Sequence, residues 1–299
     1  MSPKLPADPP VVLTPGLLRG WPVRTPDGGG KHARGSVVVV GGSTRTPGAV
    51  LLAGVASLRA GAGRLTLAVP RSTAVTLAVQ VPECGSTPLP ETGDGAIDPA
   101  AAEVLAEELS RSQTVLLGPG MADPDATSEL LARVLPAVAD DAVVVLDAMA
   151  LGCLGARPEL ADAVRGRLVL TPNGAEAARL LGDDDGSGAA EEELDVAARI
   201  AHRFGAVVAH AGAVAACDGR RWLDQTGQVG LGTSGSGDVL AGLVAGVAAR
   251  GGDPAQAACW GTHLHGAAGD RLAARIGRLG FLARELLDEA PRVLAELSA

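Results

Sequence analysis

The sequence predicts an α/β fold with a central, mostly parallel sheet and helices on both of its faces. Short runs of branched apolar residues, such as "SVVVV" at Ser36–Val40, are typical of strands that are buried on both sides. These runs alternate with longer helical patterns, an order that favours parallel strands joined by crossover helices. The chain has 41 glycines, and aromatic residues make up only 2% of it. We therefore expect a core of Ala, Val and Leu with closely packed backbones.

The predicted elements follow one another along residues 31–299, which show no linker and are predicted to form one domain. The predicted strands are "SVVVV", "RLTLAVP", "TVLLGPG", "DAVVVLDA", "RLVLTPN" and the hairpin "GAVVAHAGAVAACDG". The predicted helices are "AVLLAGVASLRAGA", an acidic one from about residue 100, "GAEAARLLG", "ELDVAARIAHRF", and residues 255–276 and 282–297. Residues 1–30, rich in Pro and Gly, are predicted to be an extended arm, and the acidic residues 182–193 a solvated loop.

Charge and hydropathy exclude several classes of function. The net charge is −9 with both signs interspersed, which disfavours nucleic-acid binding. The apolar residues 239–249 are bracketed by Asp238 and Arg250 and are too short to span a membrane, so their Gly242-x-x-x-Gly246 spacing predicts tight helix packing. We see no signal peptide, and the four dispersed cysteines form no C-x-x-C pair, which favours a cytoplasmic protein.

The stretch "GTSGSGDVLAG" carries the main chemical signal. Glycines followed by a helix start leave backbone N–H groups free to bind a phosphoryl group. Asp238 lies at the start of this helix, where we expect the local positive potential to hold it ionised and ready to accept a proton. The alternative interpretation is a plain helix cap. No Lys-Ser/Thr follows the glycines, so this is not a Walker A loop.

Several other features fall at the carboxyl ends of predicted strands, where ligands bind in such sheets. They are the turns "GGSTRTPGAV" and "GPGM", Asp147, and "TPNGAE", in which Asn173 and Glu176 also fit a capping box. The first turn lacks the G-x-G-x-x-G spacing of a dinucleotide site. His263 and His265 are two residues apart on a predicted helix, so we expect packing or capping rather than a metal pair.

An ordered series of motifs resembles the ADP/ATP-dependent NAD(P)H-hydrate dehydratases of the ribokinase-like superfamily. It comprises "KHARGSVVVVGGS", "GAVLLAGVASLRAGAGRLTLAVP", "PE" at residues 82–83, "LLGPGM", "VLDAMAL", "LTPNGAE", "GSGDVLAGLVAG", "HGAAGD" and "GFLARELL". The resemblance covers residues 31–287 and implies a three-layer ribokinase-like fold. It also implies an enzyme without the epimerase domain that some relatives carry, so that a separate epimerase would act on the same metabolite.

The resemblance implies repair of hydrated NADH and NADPH (NADHX and NADPHX). ADP or ATP, with Mg²⁺, would phosphorylate the ring hydroxyl, and loss of phosphate would restore the dihydronicotinamide. Asp238 would be the base, and Gly235, Ser236 and Gly237 would stabilise the moving phosphoryl group. The implied binding residues are, for the hydrated cofactor, Gly48, Ala49, Gly120, Asn173 and Asp238; for the nucleotide, His210, Ala211, Gly212, Ala213, Val214 and Gly237; and for Mg²⁺ through water, Glu176.

Two departures from the family pattern leave alternatives open. The family usually has Lys-Gly where this chain has His210 and Ala211, and a small or acidic residue where it has Met149. A neutral histidine would weaken charge pairing with phosphates. These departures suggest one alternative, a catalytically weak nucleotide-binding regulator. The other alternative is a small-molecule kinase of the same superfamily, acting on a vitamin alcohol, which would also use Asp238. The apolar closing helices suggest a homo-oligomer.

Overall fold

The computed structural model describes residues 9–25, 28, 30–182 and 192–298. Within them the strands are β1 (Val11–Leu13), β2 (Ser36–Val40), β3 (Arg64–Pro70), β4 (Cys84–Leu89), β5 (Thr114–Leu117), β6 (Val143–Leu146), β7 (Leu168–Leu170), β8 (Val207–His210), β9 (Ala213–Ala216) and β10 (Arg221–Asp224). Most of the predicted acidic loop at residues 182–193 lies outside the described residues.

The helices of the described residues cover both faces of the sheet. They are α1 (Pro15–Gly20), α2 (Gly30–Ala33), α3 (Pro47–Arg59), α4 (Arg71–Gln80), α5 (Ala101–Leu109), α6 (Pro124–Val134), α7 (Met149–Ala156), α8 (Gly174–Leu181), α9 (Glu193–Phe204), α10 (Ser236–Ala249), α11 (Pro254–Arg275) and α12 (Ala283–Leu297). Three short 3₁₀ turns lie at Leu135–Ala137, Pro158–Val164 and Val229–Gly232.

The strands form one sheet in the order β1-β10-β9-β8-β7-β6-β5-β2-β3-β4. Neighbours are parallel except where β9 pairs antiparallel with β8 and β10. Along β2, Val37 and Val39 join the core on one face while Val38 and Val40 join the core on the other. The mostly parallel, doubly covered sheet predicted from the continuous apolar runs is therefore confirmed.

Helix α10 packs against α3 with glycines at the contact. A Cβ atom added to Gly242 would lie 2.1 Å from the Ala53 carbonyl oxygen, and one added to Gly246 would lie 2.3 Å from that of Ser57. Only glycine permits this approach, so the prediction of tight packing from the Gly-x-x-x-Gly spacing is confirmed. The contact fixes the start of α10 beside the start of α3.

The predicted extended arm differs from the structure within the described residues. Strand β1 pairs parallel with β10 at the sheet edge, and α1 begins after Thr14, whose hydroxyl accepts a hydrogen bond from the Leu17 N–H. Leu18 is fully buried, and the Trp21 carbonyl accepts from the Trp260 indole N–H. These contacts join the segment to the main core, and the division of the chain at residue 31 stays a prediction.

Candidate active site

The N-terminus of α10 forms a turn with unpaired backbone donors. Gly235 has φ +86°, and a Cβ atom there would lie 2.5 Å from Leu52 Cδ1 on α3, so glycine is required both for conformation and for space. Among the described residues, the N–H groups of Gly235, Gly237 and Asp238 make no hydrogen bond. These three free donors at a helix N-terminus are suited to bind a phosphoryl group.

Ser236 differs from its two glycine neighbours. Its N–H donates to the Thr233 carbonyl at 3.2 Å, and its buried hydroxyl lies 2.8 Å from His265 Nε2. Because both groups are already bonded, Ser236 shapes the turn, whereas the free donors belong to its neighbours. His265 therefore does more than pack against its neighbours, since it is a hydrogen-bond partner of Ser236. Burial lowers the pKa of its imidazole to about 4, so the ring is neutral near pH 7.

Asp238 occupies the third position of α10 and is partly buried. Burial, and then the charge of Glu176, raise its pKa to about 6. Loss of water and the nearby carboxylate therefore oppose the positive potential of the helix start, and Asp238 ionises less readily than the sequence suggested. A carboxylate with a pKa near 6 is ionised at pH 7 yet basic enough to accept a proton.

Asp147 adds a third acid to this region at the end of β6. Its side chain is 4% exposed and accepts a hydrogen bond from the Thr171 hydroxyl at 2.9 Å. Burial raises its pKa to about 7, with further contributions from Asp238 and Glu176. The three carboxylates therefore repel one another across the site, with an excess of negative charge.

Asn173 and Glu176 begin α8 beside this acidic group. The Asn173 side chain accepts from the Glu176 N–H at 3.0 Å, and the Glu176 carboxylate accepts from the Asn173 N–H at 2.9 Å. The capping-box interpretation is confirmed. One carboxylate oxygen of Glu176 serves the cap, and the Asn173 side chain stays exposed.

The turns after β2 and β5 meet beneath the start of α3. Gly120 has φ +69°, and a Cβ atom there would lie 2.5 Å from the Thr46 carbonyl oxygen and 3.1 Å from Ala49 Cβ. The Thr46 hydroxyl donates to the Gly120 carbonyl at 2.7 Å. At Gly48, in contrast, an added Cβ would meet no atom within 4 Å. Gly120 is thus a packing glycine, while Gly48 presents open backbone.

The β8–β9 hairpin turns through Ala211 and Gly212, with φ +48° and +84°. His210 is buried, with Nδ1 2.9 Å from the Pro172 carbonyl and Nε2 2.6 Å from the Glu193 carboxylate. Both ring nitrogens are engaged within the chain, so a ligand here would meet backbone.

These contacts join the predicted residues into one region of the sheet edge. The hairpin touches the turn before α8 through Pro172, the acids of β6, α8 and α10 interact electrostatically, and Gly235 touches α3 beside Ala49 and Gly120. The sequence missed the link from His265 to Ser236, because the spacing of two histidines gives no signal of a distant partner.

Among the described residues, no group of three His, Cys, Asp or Glu could hold a metal ion alone. No helix of the same residues is long and apolar enough to cross a membrane.

Comparisons with known proteins identify the family of this chain. A family model described as NAD(P)H-hydrate dehydratase matches residues 37–292. The ADP-dependent (S)-NAD(P)H-hydrate dehydratase of Xanthomonas campestris is 45% identical, over 96% of both chains. The bifunctional NAD(P)H-hydrate repair enzyme Nnr of Moorella thermoacetica is 40% identical, and this chain spans 54% of its length.

Solved structures confirm the ribokinase-like fold. A ribokinase-like superfamily protein of Enterococcus faecalis superposes with a TM-score of 0.81 at 21% identity, over 96% of each chain. The ADP/ATP-dependent NAD(P)H-hydrate dehydratase of Bacillus subtilis, co-crystallised with ATP/Mg²⁺, gives 0.78 at 25% identity, over 97% of this chain and 100% of that one. Sequence and structure agree that this chain belongs to the NAD(P)H-hydrate dehydratase family.

Proposed function

We propose that this protein restores NADH and NADPH from the S epimers of NADHX and NADPHX, with ADP or ATP as the phosphoryl donor. The observation that carries the proposal is the start of α10, where free N–H groups lie beside Asp238, an acid whose pKa is raised to about 6. The names of the Xanthomonas and Bacillus relatives support the substrate and the nucleotide.

In this proposal Asp238 accepts the proton of the ring hydroxyl as the oxygen attacks the terminal phosphorus of the nucleotide. The N–H groups of Gly235, Gly237 and Asp238 stabilise the charge on the transferring phosphoryl group. The ring nitrogen then expels phosphate: the C–O bond breaks, a proton leaves the adjacent carbon, and the ring double bond returns. Each turnover converts one ADP to AMP and inorganic phosphate, or one ATP to ADP and phosphate.

A divalent cation would suit this region, because the carboxylates of Asp147, Asp238 and Glu176 repel one another and no cation of the described chain lowers the pKa of Asp147 or Asp238. Mg²⁺ commonly binds through one or two carboxylates, waters and substrate phosphates. We assign its water-mediated contact to Glu176, where the ion would neutralise phosphate charge. The cap formed by Asn173 holds the Glu176 carboxylate in place.

The remaining site residues divide between the two substrates. Gly48, Ala49, Gly120 and Asn173 would contact the hydrated nicotinamide cofactor, and support comes from the open backbone at Gly48 and the exposed side chain of Asn173. The backbone from His210 to Val214, with Gly237, would contact the nucleotide. The engaged ring of His210 supports a backbone contact at this hairpin.

We further propose that the protein acts in the cytoplasm as a homo-oligomer, alongside a separate epimerase. Its four cysteines are all free, which supports a reducing compartment. The chain spans about half of the Moorella relative, which is named a bifunctional repair enzyme, and this name supports a second repair activity on the same metabolite. The two closing helices, α11 and α12, bury many of their apolar side chains within the chain, so a subunit interface would use their exposed faces or other surfaces.

The test is to mix the protein with (S)-NADHX, Mg²⁺ and either ADP or ATP, and to follow the absorbance of the restored dihydronicotinamide. We expect recovery only when a nucleotide is present. A stable phosphorylated product without recovery would instead identify a kinase. Nucleotide binding without either reaction would identify a regulatory protein.

A further inference from the structure

Helix α11 holds the loop that leads into the phosphoryl-binding turn. This lead-in loop runs from Asp224, the last residue of β10, to Gly235, the residue before α10. At its beginning, His263 Nδ1 lies 3.0 Å from the Asp224 carboxylate. Further along, the Asp270 carboxylate accepts from the Gly227 N–H at 3.1 Å. Just after its end, His265 Nε2 lies 2.8 Å from the Ser236 hydroxyl.

Two glycines on α11 let the loop approach closely. A Cβ atom added to Gly266 would lie 2.2 Å from the Thr226 hydroxyl oxygen, and one added to Gly269 would lie 2.7 Å from Leu231 Cδ2. Positions 265, 266, 269 and 270 share one face of the helix. The "HGAAGD" motif therefore forms a contact surface for the lead-in loop.

We propose that His265 is a positioning residue for phosphoryl transfer, which fixes the first turn of α10 through its hydrogen bond to Ser236. The inference rests on the proposed function. Ser236 is 3% exposed, so loss of this partner would leave a buried hydroxyl unsatisfied. The first turn of α10 would then shift so that the Ser236 hydroxyl reaches another partner or water. This shift would displace the adjacent N–H groups of Gly237 and Asp238 from the phosphoryl group.

The chemistry of the ring suits this role. Burial keeps the imidazole neutral, so it adds no charge that would compete for the phosphates. A neutral imidazole still offers either a donor or an acceptor to a hydroxyl. A displacement of about 1 Å near a reacting group can lower the rate about 100-fold. Loss of this one hydrogen bond, by allowing such a displacement, would therefore lower kcat measurably.

The first experiment compares His265→Leu with His265→Gln, whose amide can replace the Nε2 contact. We expect His265→Leu to lower kcat about 10- to 100-fold while the Kd for ADP, measured by calorimetry, changes less than about threefold. His265→Gln should recover most of the lost kcat. The matched control is His202→Leu, at an exposed position of α9, which should retain the parental kcat. Unchanged kcat in His265→Leu, or equal loss in both His265 variants, would overturn the proposal.

A double-mutant cycle tests whether the effect passes through Ser236. If the effect passes through Ser236, the His265→Leu substitution lowers kcat much less in the Ser236→Ala background than in the parent protein. If the two substitutions act independently, their effects on kcat multiply, and that result would contradict the proposal.

Amide hydrogen exchange gives a readout that needs no turnover. The readout is the amides of Ser236 and Val239, whose N–H groups donate to the Thr233 and Gly235 carbonyls. Faster exchange there in folded His265→Leu, but not in His265→Gln, supports the positioning role even if the parent protein shows no dehydratase activity. Unchanged exchange there would overturn it, and absence of parental activity alone would overturn only the proposed function.

Discussion

Two turns at the carboxyl edge of the sheet use left-handed backbone, but they are built from different residues. The turn before α10 has Gly235 at φ +86°, packed against Leu52. The β8–β9 turn has Ala211 at φ +48°, with an exposed methyl group. At Gly235 both conformation and space exclude a side chain, whereas at Ala211 only conformation opposes it. The phosphoryl end of the site is therefore strictly constrained, and the proposed nucleotide end tolerates local strain.

Removing the acid at the constrained turn has the largest expected effect. Asp238→Asn eliminates the proposed base and should lower kcat about 1,000-fold, within the range for general acid–base groups. The Kd for ADP should change little. The matched control is Asp125→Asn, an exposed acid in the first turn of α6, which should keep full activity. Retained activity in Asp238→Asn would assign the chemistry elsewhere.

The pH dependence of kcat/KM tests the electrostatics of the same turn. Because the ionised form of Asp238 is the active one and its pKa is about 6, the rate should fall about tenfold per pH unit below pH 6. Glu176 raises this pKa, so Glu176→Gln should move the midpoint to lower pH. A midpoint near pH 4 in the parent would show that Asp238 is not desolvated as described.

A methyl group should distinguish the two turns by its effect on stability. Gly235→Ala places a Cβ atom against Leu52 in a left-handed conformation and should lower the free energy of unfolding by about 2–3 kcal/mol. The control is Gly237→Ala, where an added Cβ meets nothing within 4 Å and stability should not fall. Denaturant titration measures both, and equal destabilisation would remove the distinction.

The smallest expected effect is at the strained hairpin. Ala211→Gly should raise the free energy of unfolding by about 0.5–1 kcal/mol, since relief of the left-handed strain exceeds the added entropy of the unfolded chain. Ala213→Gly, in the regular strand β9, is the control and should be destabilising. A decrease in stability for Ala211→Gly would show that the hairpin is not strained.

Local patterns were sufficient to predict much of the fold. The run at Ser36–Val40, the β8–β9 hairpin and the α10 start are each determined by residues adjacent in the chain. Strand β1 was missed because its pairing with β10 is a distant contact. Strand β4, "CGSTPL", was missed because an edge strand with Gly and Pro lacks an apolar run.

Local motifs of the candidate site could be predicted from the sequence, but its energetics could not. Asp238 and the capping box of Asn173 and Glu176 follow from short motifs. The raised pKa of Asp238 depends on its burial and on Glu176, which is distant in sequence. The engagement of Ser236 by His265 likewise depends on the packing of α11 against the lead-in loop.

The most direct test of the account is the product balance of a single reaction mixture containing the protein, (S)-NADHX, Mg²⁺ and ADP. The account predicts equal amounts of NADH, AMP and inorganic phosphate, with AMP absent when the hydrated cofactor is omitted. NADH formed without AMP, or AMP formed without NADH, would contradict a dehydration that proceeds through phosphoryl transfer.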